Sequence, residues 1–182
     1  MRTIVCRWMF LTVLLMISVG ASALNVTAQQ GASGDLSVVG EVSVNGRKVQ
    51  TGDLISPESR VHTAKGSSAV VSLGKLGRVE VLPSTVLLIT WDDSSISISI
   101  SFGIVRVVAL EGTTATVVTK EGVVVSDETQ ATTFTVDTEC RNTFVSTQVG
   151  LARLRADNEV VEVPGGSTAS AGREIGRCRH ER

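Results

Sequence analysis

Ser95-Ile96-Ser97-Ile98-Ser99-Ile100-Ser101-Phe102 is the stretch that decides the fold. Apolar and hydroxyl side chains alternate with a period of two. A helix would scatter the isoleucines around its circumference, whereas a strand puts every second residue on one face. The pattern predicts a strand that buries Ile96, Ile98, Ile100 and Phe102 and turns Ser95, Ser97, Ser99 and Ser101 to solvent. Such an uncharged serine strip, on an edge strand, offers a route to self-association by strand pairing; in mid-sheet it is an ordinary solvent face.

The same alternation extends in both directions. Val86 to Trp91 precedes this strand across Asp92-Asp93-Ser94-Ser95, a turn by composition. Ala69 to Leu73 and Arg78 to Leu82 flank Gly74-Lys75-Leu76-Gly77, a second turn. Leu36 to Val44 runs into Asn45-Gly46, a tight-hairpin signal because both residues tolerate positive φ. Ile104 to Leu110, Ala115 to Thr119, Val123 to Ser126, Thr133 to Val136, Thr143 to Val149, Leu151 to Arg155 and Val160 to Val163 complete the set. Gly77, Gly103, Gly122 and Gly150 each precede an apolar alternating run at uneven intervals. The expected fold class is all-β: a single domain of many short strands, solenoid-like or sandwich-like, with almost no helix after the leader.

The N-terminus reads differently. Arg2 and Arg7 precede an uncharged apolar run, Trp8 to Val19, followed by small residues up to Ala23 and Ala28. This describes a hydrophobic signal helix, residues 1–28, cleaved after Ala23 or Ala28. The alternative is a membrane anchor, since Trp8 to Ala28 carries no charge over about 21 residues. Residues 29–35 read as a linker, 36–166 as the β domain and 167–182 as a flexible basic tail with Arg173, Arg177, Arg179 and Arg182. The implied localisation is outside the cytoplasm. The formal net charge is −1, and loss of the two leader arginines makes it −3, so no basic field exists to attract nucleic acid. Cys140 and Cys178 are the cysteines that follow the leader; an even pair in an oxidising compartment is a disulfide candidate, and two unpaired thiols are the alternative.

The order of these features resembles the FecR-like domain of bacterial envelope proteins. Val44-Asn45-Gly46, Gly52-Asp53, Val61-His62-Thr63 and Gly66-Ser67-Ser68-Ala69 are similar to that family's opening. Gly77 to Pro83 with Thr85-Val86-Leu87, then Gly103 to Val107, Thr119 to Val123, Phe134-Thr135-Val136 and Val149 to Ala152 resemble its later segments. The likeness covers about Val39 to Gly166, with Lys75-Leu76-Gly77 and Ala131-Thr132-Thr133 departing from the family's usual turn and strand entry. It implies a FecR-type β fold on the outer side of the inner membrane. The family's sensors also carry an inner anti-sigma segment. Only Met1 to Arg7 precede the apolar run, so sigma-factor control is not carried over as an expectation.

Catalytic chemistry finds little to use. His62 and His180 are the histidines, and Ser72-Leu73-Gly74-Lys75 matches S-x-x-K without its companion motifs. Cys178-Arg179-His180 offers two potential metal ligands, too few for a site. Asp92-Asp93 and Asp127-Glu128 are paired carboxylates, but both fall in turn-like segments where Asp serves local hydrogen bonds. Phe102, Phe134 and Phe144 lie in strand patterns and read as core. Trp91 precedes a turn and is the best single aromatic contact candidate, with core or rim packing as its ordinary reading. These observations lead to a non-catalytic exported interaction or scaffold module, without cofactor or metal, holding an unidentified envelope protein. The alternative is a membrane-anchored extracytoplasmic sensory subunit, which touches the membrane only if the N-terminal segment is uncleaved.

Overall fold

The computed structural model describes residues 33–138 and 142–172. These form seventeen strands: β1 (Gly34–Val39), β2 (Val42–Val44), β3 (Arg47–Lys48), β4 (Leu54–Ile55), β5 (Ser59–Thr63), β6 (Ser68–Ser72), β7 (Gly77–Val81), β8 (Val86–Trp91), β9 (Ser95–Phe102), β10 (Ile104–Ala109), β11 (Thr114–Val118), β12 (Val123–Ser126), β13 (Thr132–Asp137), β14 (Thr143–Val149), β15 (Leu151–Ala156), β16 (Glu159–Pro164) and β17 (Thr168–Ala171). The one helical element among the described residues is a 3-10 turn, Gly74–Leu76, between β6 and β7. The expected all-β class is the observed one.

Two sheets face each other. The first has the order β17-β14-β13-β10-β7-β6-β1-β4 and the second β16-β15-β12-β11-β9-β8-β5-β2-β3. The chain passes back and forth between them, usually after one strand or one hairpin, and drifts steadily from one end to the other. The pairs are antiparallel except β9 with β11, which are parallel because β10 crosses to the first sheet between them. Inward residues of both sheets form one apolar cluster, including Phe134, Leu36, Leu87, Ile89, Ile98 and Leu154. The arrangement is a sandwich through which the chain winds like a solenoid.

The predicted hairpins form as expected. Asn45 and Gly46 take φ of 53° and 77° and join β2 to β3. The turns at residues 74–77 and 92–95 join β6 to β7 and β8 to β9. Gly103 and Gly150 mark corners where the chain changes sheet, and Gly77 and Gly122 sit at hairpins.

Several expectations are corrected. Leu36 to Val44 is not one strand: it breaks between Val39 and Val42 and changes sheet, with Gly40 at φ 80°. The β3, β4 and β5 strands fill a stretch not assigned to strands from sequence. The linker 29–35 gives way at Gly34, where β1 begins. The tail from residue 167 loses Thr168–Ala171, which pairs with β14 as a true edge strand. Strand β9 lies between β8 and β11 with both sides hydrogen bonded, so the serine strip is a mid-sheet face and not an edge for self-association. Phe102 is not core: it is 49% exposed. A bulge causes this. Leu87 faces Ile100 but Val86 faces Phe102, leaving Ser101 as the extra residue and flipping Phe102 to the outer face.

Candidate functional site at the Gly103 corner

A corner of this winding needs backbone groups satisfied without a ladder, and hydroxyls supply the bonds. Every buried polar residue is Ser or Thr among those described. At Gly103 the Thr85 Oγ1 accepts from the Ile104 N–H at 3.0 Å. Thr63 Oγ1 donates to the Leu82 carbonyl at 2.6 Å and accepts from the Thr85 N–H at 3.0 Å. The Thr138 N–H donates to the Gly103 carbonyl at 2.9 Å, and its hydroxyl to the same oxygen at 3.1 Å. Gly103 has φ 106°, and an added Cβ would lie 2.6 Å from the Thr85 Cα, so a side chain is excluded by both backbone angle and space.

This locked corner presents one phenylalanine on each side. On the outer face of the first sheet the registers place Ser170, Phe144, Asp137 and Ile104 in one row across β17, β14, β13 and β10. Leu82 follows, its N–H bonded to the Ile104 carbonyl at 3.1 Å. Phe144 is 47% exposed, and an open depression of about 560 Å³ surrounds it, lined also by Leu82, Ile104, Thr135 and Ser146. The next row is polar: Arg106 pairs with Glu80 at 3.3 Å, Arg78 with the same carboxylate at 3.0 Å, and Arg106 Nε donates to Thr135 Oγ1. These exposed pairs contribute little stability, but they give the apolar row a charged border. On the outer face of the second sheet, Phe102 stands opposite Val86, with His62 next across the ladder.

Phe102 ends β9 and Phe144 lies in β14, so the strands beside the corner expose one aromatic ring on each outer face. Exposed aromatic rings beside apolar neighbours are what partner interfaces bury. Both residues were expected in the core. The bulge that exposes Phe102 leaves no trace in the alternating pattern. Phe144 did carry a signal: it is adjacent to Val145, so one of the two apolar side chains had to face out, and Val145 is the buried one.

The remaining candidates take other roles. Trp91 is 6% exposed inside the core cluster, so its ring is committed to packing and it is corrected as a contact residue. Asp92 Oδ1 accepts from the N–H groups of Ser94 and Ser95 at 2.9 and 2.8 Å, and Oδ2 accepts from the Ser95 hydroxyl at 2.7 Å. These bonds, the one from Ser94 foremost, hold its carboxyl below the usual value. Asp127 accepts from the Thr129 N–H and hydroxyl, which lower its pKa too, and Glu128 accepts from the Thr114 hydroxyl. Asp92 and Asp127 thus anchor their turns, and Glu128 ties its turn to β11. His62 is exposed on β5; Ser72 ends β6 and Lys75 lies in the 3-10 turn, both exposed. Among the described residues no three His, Cys, Asp or Glu side chains converge on a common point. Cys140, Cys178 and His180 lie outside the described residues, as does the apolar run Trp8 to Val19. No described helix is long and apolar enough to cross a membrane.

No family model and no curated protein sequence matches the chain. Solved structures similar to it include two of one protein. Both are crystal structures of a candidate anti-sigma factor from Parabacteroides distasonis, at 1.65 and 2.50 Å resolution. Each superposes with a TM-score of 0.53 over 65% of this chain, at 19% and 18% identity. The chain spans 57% and 56% of the length of those proteins. At that identity the likeness is one of fold.

Proposed function

We propose that the protein is a non-catalytic, FecR-like module exported to the bacterial envelope, where the Gly103 corner holds a protein partner. The observation that carries this reading is the exposure of Phe102 and Phe144 beside a corner whose backbone is fixed by buried hydroxyls. A preorganised apolar surface loses little conformational freedom on binding. The resemblance of the sequence to the FecR-like pattern and the fold shared with the candidate anti-sigma factor support the choice of class.

A second reading, a sensory subunit anchored through Trp8 to Ala28, is favoured by the name carried by the structural neighbours. N-terminal sequencing of the protein recovered from its cell separates the two. A start at Leu24 or Gln29 supports the free module, and an intact Met1 supports the anchor. The partner-binding role is tested by site-specific photocrosslinking from positions 102 and 144 in intact cells. Discrete adducts lost with Phe144→Asp are expected; turnover of a substrate by the purified protein would overturn the non-catalytic reading.

A further inference from the structure

Among the described residues the two sheets end at β3, β4, β16 and β17. Three of these edges are poor templates for another strand. The β3 edge is Arg47–Lys48, β4 is only Leu54–Ile55, and β16 carries Glu159, Glu162 and Pro164. The β17 edge has no such device: it is Thr168-Ala169-Ser170-Ala171, without charge or proline. Its register also leaves backbone groups open. The Thr147 N–H donates to the Ser167 carbonyl at 3.0 Å, and the Thr147 carbonyl accepts from the Gly166 N–H at 2.7 Å. Bonded and non-bonded residues alternate along an antiparallel pair, so Ala169 and Ala171 turn their N–H and C=O groups to β14. Those of Thr168 and Ser170 point away from it, on the side where no described strand pairs.

The same two residues wall the depression around Phe144. Ala169 and Ala171 pack toward the core, so Thr168 and Ser170 stand on the outer face, and Ser170 lies opposite Phe144. We propose that β17 takes up an extended segment of the partner protein as a further strand, with a leucine- or phenylalanine-sized side chain seated in that depression; this rests on the partner-binding role proposed above. Neighbouring strands lie about 4.8 Å apart, so the added strand runs about 10 Å from β14. Between them stands the small side chain of Ser170, over which a large one reaches the Phe144 ring. Main-chain hydrogen bonds supply affinity and the depression supplies selectivity. The segment is uncharged where it pairs, because a charge there would meet no countercharge on β17. A second copy fits less well. Its β17 brings nothing larger than a threonine to the depression, and pairing four small residues falls well short of the roughly 1,200 Å² that stable interfaces bury.

Amide hydrogen exchange of the isolated full chain tests the edge. Thr168 and Ser170 should exchange at least about ten-fold faster than Ala169 and Ala171. Equal protection of all four means an edge already covered and overturns the proposal. So does protection that rises with protein concentration, which would place a second copy there. Photocrosslinking from position 144 in intact cells tests the partner, in the parent and in Ser170→Pro, Thr168→Pro and Ser170→Ala. Each proline removes one outward N–H, a change that an edge strand tolerates, whereas Ser170→Ala keeps the main chain intact. The adduct should fall about ten-fold in the proline variants and persist in Ser170→Ala, with unfolding midpoints alike and the crosslink mapping to an extended, uncharged segment of the partner. An adduct as strong in a folded proline variant as in Ser170→Ala overturns strand addition and leaves the partner at Phe144 standing. An adduct within the same chain overturns strand addition as well. No adduct in the parent overturns the partner-binding role and this proposal with it.

Discussion

Thr85 and Thr147 are both buried hydroxyls, and the fold uses them in opposite ways. Thr85 Oγ1 serves the Gly103 corner, whereas Thr147 Oγ1 has no hydrogen-bond partner among the described residues. Thr85→Val leaves the Ile104 N–H without its acceptor and is expected to cost about 2 kcal/mol, the penalty of an unsatisfied buried donor. Thr147→Val removes a hydroxyl that makes no bond, and is expected to be neutral or to stabilise by about 1 kcal/mol. Urea unfolding at constant m-value reads both. A cost at Thr85 with none at Thr147 is the signature, since exchanging a hydroxyl for a methyl changes the side-chain shape equally little at both. Gly103→Ala combines a positive φ with overlap against Thr85 and should cost about 3 kcal/mol or more by the same measurement.

Among elements, the β8–β9 hairpin shows what a sequence can and cannot say. The strands and their turn are written in the alternation of Ser95 to Phe102 and in Asp92-Asp93-Ser94-Ser95, because periodicity and turn chemistry are local properties. The bulge at Ser101 is not, because it depends on how β8 lies against β9. One additional hydroxyl residue reversed the face of Phe102 and with it half of the candidate site. Gly40 hides a change of sheet for the same reason: a strand that crosses over keeps its alternating pattern. The fold class was therefore legible, and the exposed corner was not. The turn itself is testable by pH. The Asp92 carboxyl is held below its ordinary value in the folded chain, so its contribution is present above the ordinary aspartate range and is lost as pH falls through the lowered value. Asp92→Ala should unfold at lower temperature than the parent at pH 7, and the difference should close as the pH is taken below that range.

At the scale of the molecule, the surface rings are separable from stability. Phe102 and Phe144 are half exposed, so a Phe102→Ser, Phe144→Ser double variant should keep its unfolding midpoint within a few degrees of the parent while its crosslinked partner disappears. A matching loss of stability would instead make the rings structural. The register also bears on the cysteine pair. Thr143 faces Ala171 across β14 and β17, so the chain leading from Cys140 and the chain leading to Cys178 set out from neighbouring points. A disulfide between these two candidates would close a loop of 39 residues and add a few kcal/mol. Non-reducing peptide mapping of the protein recovered from its cell should recover the two linked peptides, and two free thiols would reject the bond.

The stepwise drift of the winding has a mechanical consequence. Strand β1 lies next to one end of the first sheet and β17 forms its other end. Tension applied to these two strands acts across the ladders, in the direction of the hydrogen bonds, and not along the strands. Bonds loaded that way open in turn instead of sharing the load. A molecule stretched between two anchoring points would thus yield at low force and in small steps, peeling from β17 inward through β14, and would behave as a compliant tether with the Gly103 corner among the parts released later.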